Sequence, residues 1–117
     1  MIGIGALLST GVIPSSPYSV NLNPGFIFVF SNNGSATSVK VKSTVVSGVG
    51  PFTYQWVIDN ANISIGSSTS EDTTFTASGF NTQIEGISTL TVTDTGNGNA
   101  EVSKNINIQF EFENTGN

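Results

Sequence analysis

The chain has 117 residues, with three lysines and no arginine against eight carboxylates, for a formal net charge of −5. That length supports one core and one domain with an appendage, and that charge balance excludes nucleic acid and anionic membranes as partners, since both are held by Lys and Arg. With neither His nor Cys in the chain, the usual catalytic triads, cysteine nucleophiles, zinc sites and disulfides are excluded as well.

Residues 1–24 read as an extended N-terminal arm. Ile2, Ile4, Leu7, Leu8, Val12 and Ile13 are followed by Pro14, Pro17 and Pro24, a proline density that disfavours helix and favours extended chain. There is no basic leader, and Gly3, Gly5 and Ser9-Thr10-Gly11 interrupt the apolar run, so it reads as part of the mature protein. Burying six aliphatic side chains yields roughly 10 kcal/mol, while ordering the arm costs about 1–2 kcal/mol per residue. The arm therefore needs a surface to receive it.

Residues 25–117 read as the folded domain. Phe26-Ile27-Phe28-Val29-Phe30 is apolar on both faces of a strand, so it is either buried on both sides or shared with a partner. Asn32-Asn33-Gly34-Ser35 is a turn. In 37–47, Val39, Val41 and Val45 alternate with Lys40, Lys42 and Thr44, and Gly48-Val49-Gly50-Pro51 turns into the next run.

Phe52-Thr53-Tyr54-Gln55-Trp56-Val57-Ile58 puts every large apolar side chain at an even position, the period of a half-buried strand. A short strand follows at 62–65 and another at 73–77. Gly79 and Gly86 bound a loop carrying Phe80 and Ile84, and 88–94 alternates again with Leu90 and Val92 inward. Asn97-Gly98 predicts a type I′ hairpin turn, which needs positive φ at both central residues. The last strand sets Val102, Ile106, Ile108, Phe110 and Phe112 on one face with Lys104, which snorkels to an edge. Strands with glycine-rich turns and no helical period predict an all-β sandwich of 6–8 antiparallel strands.

Pro51-Phe52-Thr53-Tyr54-Gln55-Trp56, then Thr89-Leu90-Thr91-Val92-Thr93-Asp94-Thr95-Gly96-Asn97-Gly98, then an alternating last strand, resembles the bacterial and phage immunoglobulin-like domains, PKD-type modules among them. The resemblance covers about residues 36–112. It departs from the PKD pattern where Trp56-Val57-Ile58-Asp59-Asn60 replaces a W-D-F-G-D-G run, and from antibody domains in having no cysteine pair. It implies an immunoglobulin-like β-sandwich with a structural or binding role, as in display and interaction modules of bacterial surfaces and phage virions.

Residue chemistry agrees with a non-enzymatic role and supplies no catalytic residue, cofactor or metal. Lys40 and Lys42 lie on a solvated strand face, and Glu111, Glu113 and Glu71-Asp72 read as surface charges rather than a hydrolytic pair. Asp59, Asp72 and Asp94 lie at strand ends, but 94–99 places glycine where calcium ligands belong and reads as a turn. The resulting expectation is a phage capsid decoration protein on the capsid surface, assembled in the host cytoplasm. It attaches to the major capsid protein or other virion subunits through the arm and the sandwich edge. Ile2, Ile4, Leu7, Leu8, Val12, Ile13, Phe26, Phe28 and Phe30 are its partner-binding residues, and a homo-oligomer, a trimer, is its expected state. The alternative is a carbohydrate- or cell-surface-binding module of a phage tail or bacterial surface, with Tyr18 and Phe80 among its contacts.

Overall fold

A computed structural model describes residues 18–113, and among these lie ten strand segments and no helix. They are β1 (Ser19–Asn23), β2 (Phe26–Ser31), β3 (Ser35–Thr37), β4 (Val41–Val46), β5 (Phe52–Ile58), β6 (Ile63–Ile65), β7 (Asp72–Thr73), β8 (Phe75–Ser78), β9 (Thr82–Asp94) and β10 (Ala100–Phe112). The alternating runs that end the sequence become its longest hairpin. β9 and β10 pair antiparallel along their whole length, from Thr82 opposite Phe112 to Asp94 opposite Ala100. Even-numbered residues of both strands point one way, and Leu90, Val92, Ile106, Ile108, Phe110 and Phe112 are all buried.

Two strands complete this sheet, in the order β2-β10-β9-β5. β5 runs antiparallel to β9 with Trp56 opposite Leu90, and β2 runs parallel to β10 with Phe26 opposite Asn107. The second layer holds β1-β4-β7 and β3-β8-β6. These are one surface, because β3/β4 and β7/β8 are each a single strand interrupted at a bulge. Between the Thr37–Thr76 pair and the Val41–Thr73 pair, one strand advances four residues and the other three. Ser38 spans the break: its N–H donates to Phe75 O at 2.8 Å and its Oγ accepts from Phe75 N at 3.0 Å.

The chain switches layers between β1 and β2, with Asn23–Pro24 cis. With the strands lettered in chain order as A (β1), A′ (β2), B (β3/β4), C (β5), D (β6), E (β7/β8), F (β9) and G (β10), one layer holds A-B-E-D and the other A′-G-F-C, the arrangement of an immunoglobulin-like β-sandwich. Between the layers Trp56 meets Phe75 edge to face, with ring centroids 5.9 Å apart at 77°, and the indole Nε1 donates to Ser70 O at 2.8 Å. The even-position reading of 52–58 thus matches the observed core strand.

Four sequence expectations change. Residues 18–24 are not arm: β1 pairs with β4, and Tyr18 and Val20 are buried in the core. Pro14 and Pro17 suggested continuous extended chain, but a short strand also satisfies that geometry. Val39 is 66% exposed rather than inward, because the bulge gives the inward place to Ser38. Ile84 and Gly86 lie within β9, not in a loop. The left-handed pair in the β9–β10 turn is Gly98 (φ 66°) and Asn99 (φ 61°), one place later than expected. There Asn97 N donates to Asp94 O and Ala100 N to Asn97 O, which makes two overlapping turns.

Asp94 is fully buried and clamps the β4–β5 loop to this turn. Its carboxylate accepts from Val49 N and Gly50 N, both at 2.9 Å. Gly50 sits at φ +77°, a conformation open to glycine at little strain, and a Cβ at Gly96 would collide with the Gly50 carbonyl. Asp94→Ala leaves both N–H groups without their charged acceptor. The expected loss is about 3 kcal/mol, read as a lower urea midpoint with an unchanged slope.

The Tyr18 hydroxyl lies 2.6 Å from Ala100 O and 3.0 Å from Val92 O. Burial first, and then the Asp94 carboxylate, raise this phenol above its usual pKa. Burial, followed by Glu71 and Asp72, does the same to Tyr54. The folded chain thus keeps these protons to higher pH than the unfolded chain does, so their contribution is complete below about pH 10 and is lost above it. The melting temperature should hold between neutral pH and about pH 9 and then fall above about pH 10, less steeply in Tyr18→Phe.

Candidate functional site

The parity that buries the even positions of β9 and β10 sends the odd ones to the outer face of the β2-β10-β9-β5 sheet. Strand register then sets these residues in rows. Phe30, Glu111 and Gln83 form one row, Phe28, Gln109 and Glu85 the next, and Phe26, Asn107 and Ile87 a third. Beyond the end of β2 come Asn105, Thr89 and Val57, then Ser103, Thr91 and Gln55.

The face has two chemical halves. Toward the β9–β10 turn, hydroxyls and amides satisfy one another: Thr89 Oγ1 donates to Asn105 Oδ1 at 2.8 Å, and Thr91 and Ser103 hydroxyls lie 3.0 Å apart. Toward the other end stand Phe26, Phe28 and Phe30, 52%, 50% and 53% exposed. Their strand neighbours Ile27 and Val29 face the core, Ile27 buried and Val29 packed against it. Burial on both sides is thus excluded for this strand within the described residues, because one of its faces is left outward. At about 3.3 Å per residue, the three rings form a stripe roughly 13 Å long.

Beside this stripe a trough of about 630 Å³ crosses the sheet, with the Phe26 ring on one side and the Asp59–Asn60 turn on the other. Asn107, Gln109, Glu85 and Ile87 line it between. Its far wall is fixed by side-chain bonds to β9: Asp59 Oδ1 accepts from Ile87 N and Asn60 Nδ2 donates to Glu85 O, both at 2.8 Å. Glu85 Oε2 accepts from Gln83 Nε2 at 2.9 Å. A ring, amides and carboxylates with no cation suit a neutral polar ligand better than an anion.

The expected partner-binding residues fall into two groups. Phe26, Phe28 and Phe30 share the exposed stripe, while Ile2, Ile4, Leu7, Leu8, Val12 and Ile13 lie outside the described residues. Of the two expected sugar contacts, Tyr18 is withdrawn from the surface, 5% exposed, and Phe80 is exposed. Asp59, Asp72 and Asp94 are held apart by the fold, and no group of three acidic residues suited to a metal occurs among the described residues. The trough escaped sequence reading because Asp59, Glu85 and Asn107 meet only through strand register. Only the pairing of alternating runs, with the odd set outward, hinted at it.

No protein-family model and no curated protein matches the sequence. Solved structures do. The fold is similar to that of a nucleoside hydrolase-related hypothetical protein from Saccharophagus degradans associated with carbohydrate metabolism, with a TM-score of 0.59 at 14% identity. That match covers 83% of this chain but 26% of the other, so the chain spans about a quarter of its length. The titin M3 domain is similar at a TM-score of 0.41 and 19% identity, over 74% of this chain and 88% of that one. A Bacteroides ovatus GH5 xyloglucanase in complex with a XXXG heptasaccharide is similar at 0.42 and 14% identity, over 80% of this chain and 19% of the enzyme. At these identities the likeness concerns the fold alone.

Proposed function

We propose that this chain is a non-catalytic, immunoglobulin-like assembly module, and more specifically a phage capsid decoration protein. It joins the major capsid protein or another virion subunit through its N-terminal segment and its sandwich edge. The observation that carries this reading is the stripe of Phe26, Phe28 and Phe30, each half-exposed on a strand at the end of a sheet. Other exposed apolar side chains, such as Val39, Val49 and Phe80, lie elsewhere on the surface, whereas a contiguous row of three rings marks an interaction surface. Two further features support it. The sequence offers neither imidazole nor thiol for catalysis, and six aliphatic residues before Pro14 need a receiving surface. The setting on a virion rests on the resemblance to phage and bacterial immunoglobulin-like domains, and localisation to the capsid surface follows from it.

The test is co-sedimentation with empty shells assembled from phage major capsid proteins. The intact chain should pellet with shells. Removal of residues 1–17, which leaves β1 and Tyr18 in place, should weaken binding at least ten-fold. Intact chain that stays in the supernatant at all shell concentrations removes the virion reading.

A second reading, binding of a neutral glycan, is favoured by the trough beside Phe26 with its amides and carboxylates. Titration with neutral oligosaccharides should then shift backbone amides of 85–87 and 107–109. Trp56, 1% exposed, would report nothing, so unchanged tryptophan emission is not evidence either way. Amides that stay unmoved at millimolar sugar exclude this reading.

A further inference from the structure

We propose that the partner of the phenylalanine strand is a second copy of the same strand, paired antiparallel about a two-fold axis through Phe28. The inference rests on the assembly reading above and names what pairs with the free edge of β2, which leaves the N-terminal segment to join the virion subunit. β2 ends its sheet, and among the described residues no strand pairs with its outer edge. Soluble proteins guard such edges with lysine, proline, a bulge or an inward charge. Phe26–Ser31 holds none of these guards: it is six residues without a charge or a proline, paired to β10 without a break.

Its sequence is also self-complementary. In antiparallel pairing, residues directly opposite each other lie on the same face. Setting Phe28 against its own copy places Phe26 opposite Phe30 and Ile27 opposite Val29. All the rings then lie outward and all the aliphatics inward, continuing both faces of the sandwich sheet across the junction. A slip by one residue would set Phe28 against Val29, an outward ring against an inward side chain, and break both faces.

Charge agrees with this register. Glu111 is in the row of Phe30 and Asn107 in the row of Phe26. Antiparallel pairing therefore aligns Glu111 of one copy with Asn107 of the other, although each chain carries a net charge of −5. A parallel arrangement would align glutamate with glutamate. An edge that pairs with itself also closes at two copies, so this contact makes a dimer rather than the trimer expected from the sequence.

Area sets the strength. Three half-exposed rings expose roughly 300 Å² of apolar surface per copy, of which side-by-side contact across the junction covers only part, against about 800 Å² per partner in a standard stable interface. The dimer is accordingly concentration-dependent rather than obligate.

The chain has no cysteine, so register can be read by single cysteine substitutions under mild oxidation. Phe28→Cys should cross-link with itself at least ten times faster than Phe26→Cys or Phe30→Cys alone. A mixture of Phe26→Cys and Phe30→Cys chains should cross-link as a heterodimer. In sedimentation equilibrium the intact chain should dimerise, and Phe28→Lys, which opposes two cations at the axis, should raise the dissociation constant at least ten-fold while lowering the melting temperature of dilute protein by no more than a few degrees. Equal cross-linking of all three single variants would indicate random collision and overturn the proposal. So would an intact chain that stays monomeric up to millimolar concentration, or a dimer indifferent to Phe28→Lys. Shell binding that persists with no dimer would defeat this inference and leave the assembly reading standing. A dimer with no shell binding would support the pairing and remove the virion reading alone.

Discussion

Everything positioned in this molecule depends on the register between β9 and β10. Thirteen consecutive residue pairs, from Thr82–Phe112 to Asp94–Ala100, fix which side chain faces which way over the longest continuous ladder in the domain. Because the side-chain period of a strand is two, a slip of β10 by one residue against β9 would turn Ile106, Ile108, Phe110 and Phe112 out to solvent and Asn107, Gln109 and Glu111 into the core. Burying several apolar side chains at about 1.5–3 kcal/mol each makes that slip prohibitive. The ladder then dictates its neighbours. β5 aligns Trp56 with Leu90, β2 aligns Phe28 with Gln109, and the outer rows follow.

Asp94 is where the ladder is tied to the loops. A fully buried carboxylate is tolerable only where hydrogen bonds satisfy it, and the two N–H groups of Val49 and Gly50 do so here. Tyr18 closes the same end from the other layer through the carbonyls of Val92 and Ala100. The end of the sandwich near the turn is thus held by polar contacts to backbone. The opposite end presents phenyl rings on its outer face. One end fixes structure and the other is left available for contact.

The sequence made the strands legible where alternation was strict. The strand at 52–58 and the last strand could be read residue by residue, since one face was uniformly apolar. It failed where a local device interrupted the period. The bulge at Ser38 reversed the expected place of Val39. Gly86, which looked like a loop boundary, lies within β9, where its missing side chain makes room: an added Cβ would press on the tips of Ile58 and Ile63 at 3.1–3.2 Å. Asp94 looked like any turn aspartate, because nothing local signals that the loop at Val49 and Gly50 folds onto it from far along the chain. The exposed stripe was half legible. Phe26-Ile27-Phe28-Val29-Phe30 announced a strand apolar on both sides, but which face would stay open depended on β2 reaching β10 at the end of a sheet.

If the three phenylalanines serve contact with another surface, as proposed, they contribute little to the stability of this one. The unfolding free energy of Phe28→Thr in urea, at dilution where the chain is monomeric, tests this most directly. Threonine is a good strand residue, and only the covered half of the ring's contact is lost, so the expected loss is below about 1 kcal/mol. A loss of about 3–5 kcal/mol, the cost of truncating a buried phenylalanine, would show that the stripe is part of the core and would contradict the claim.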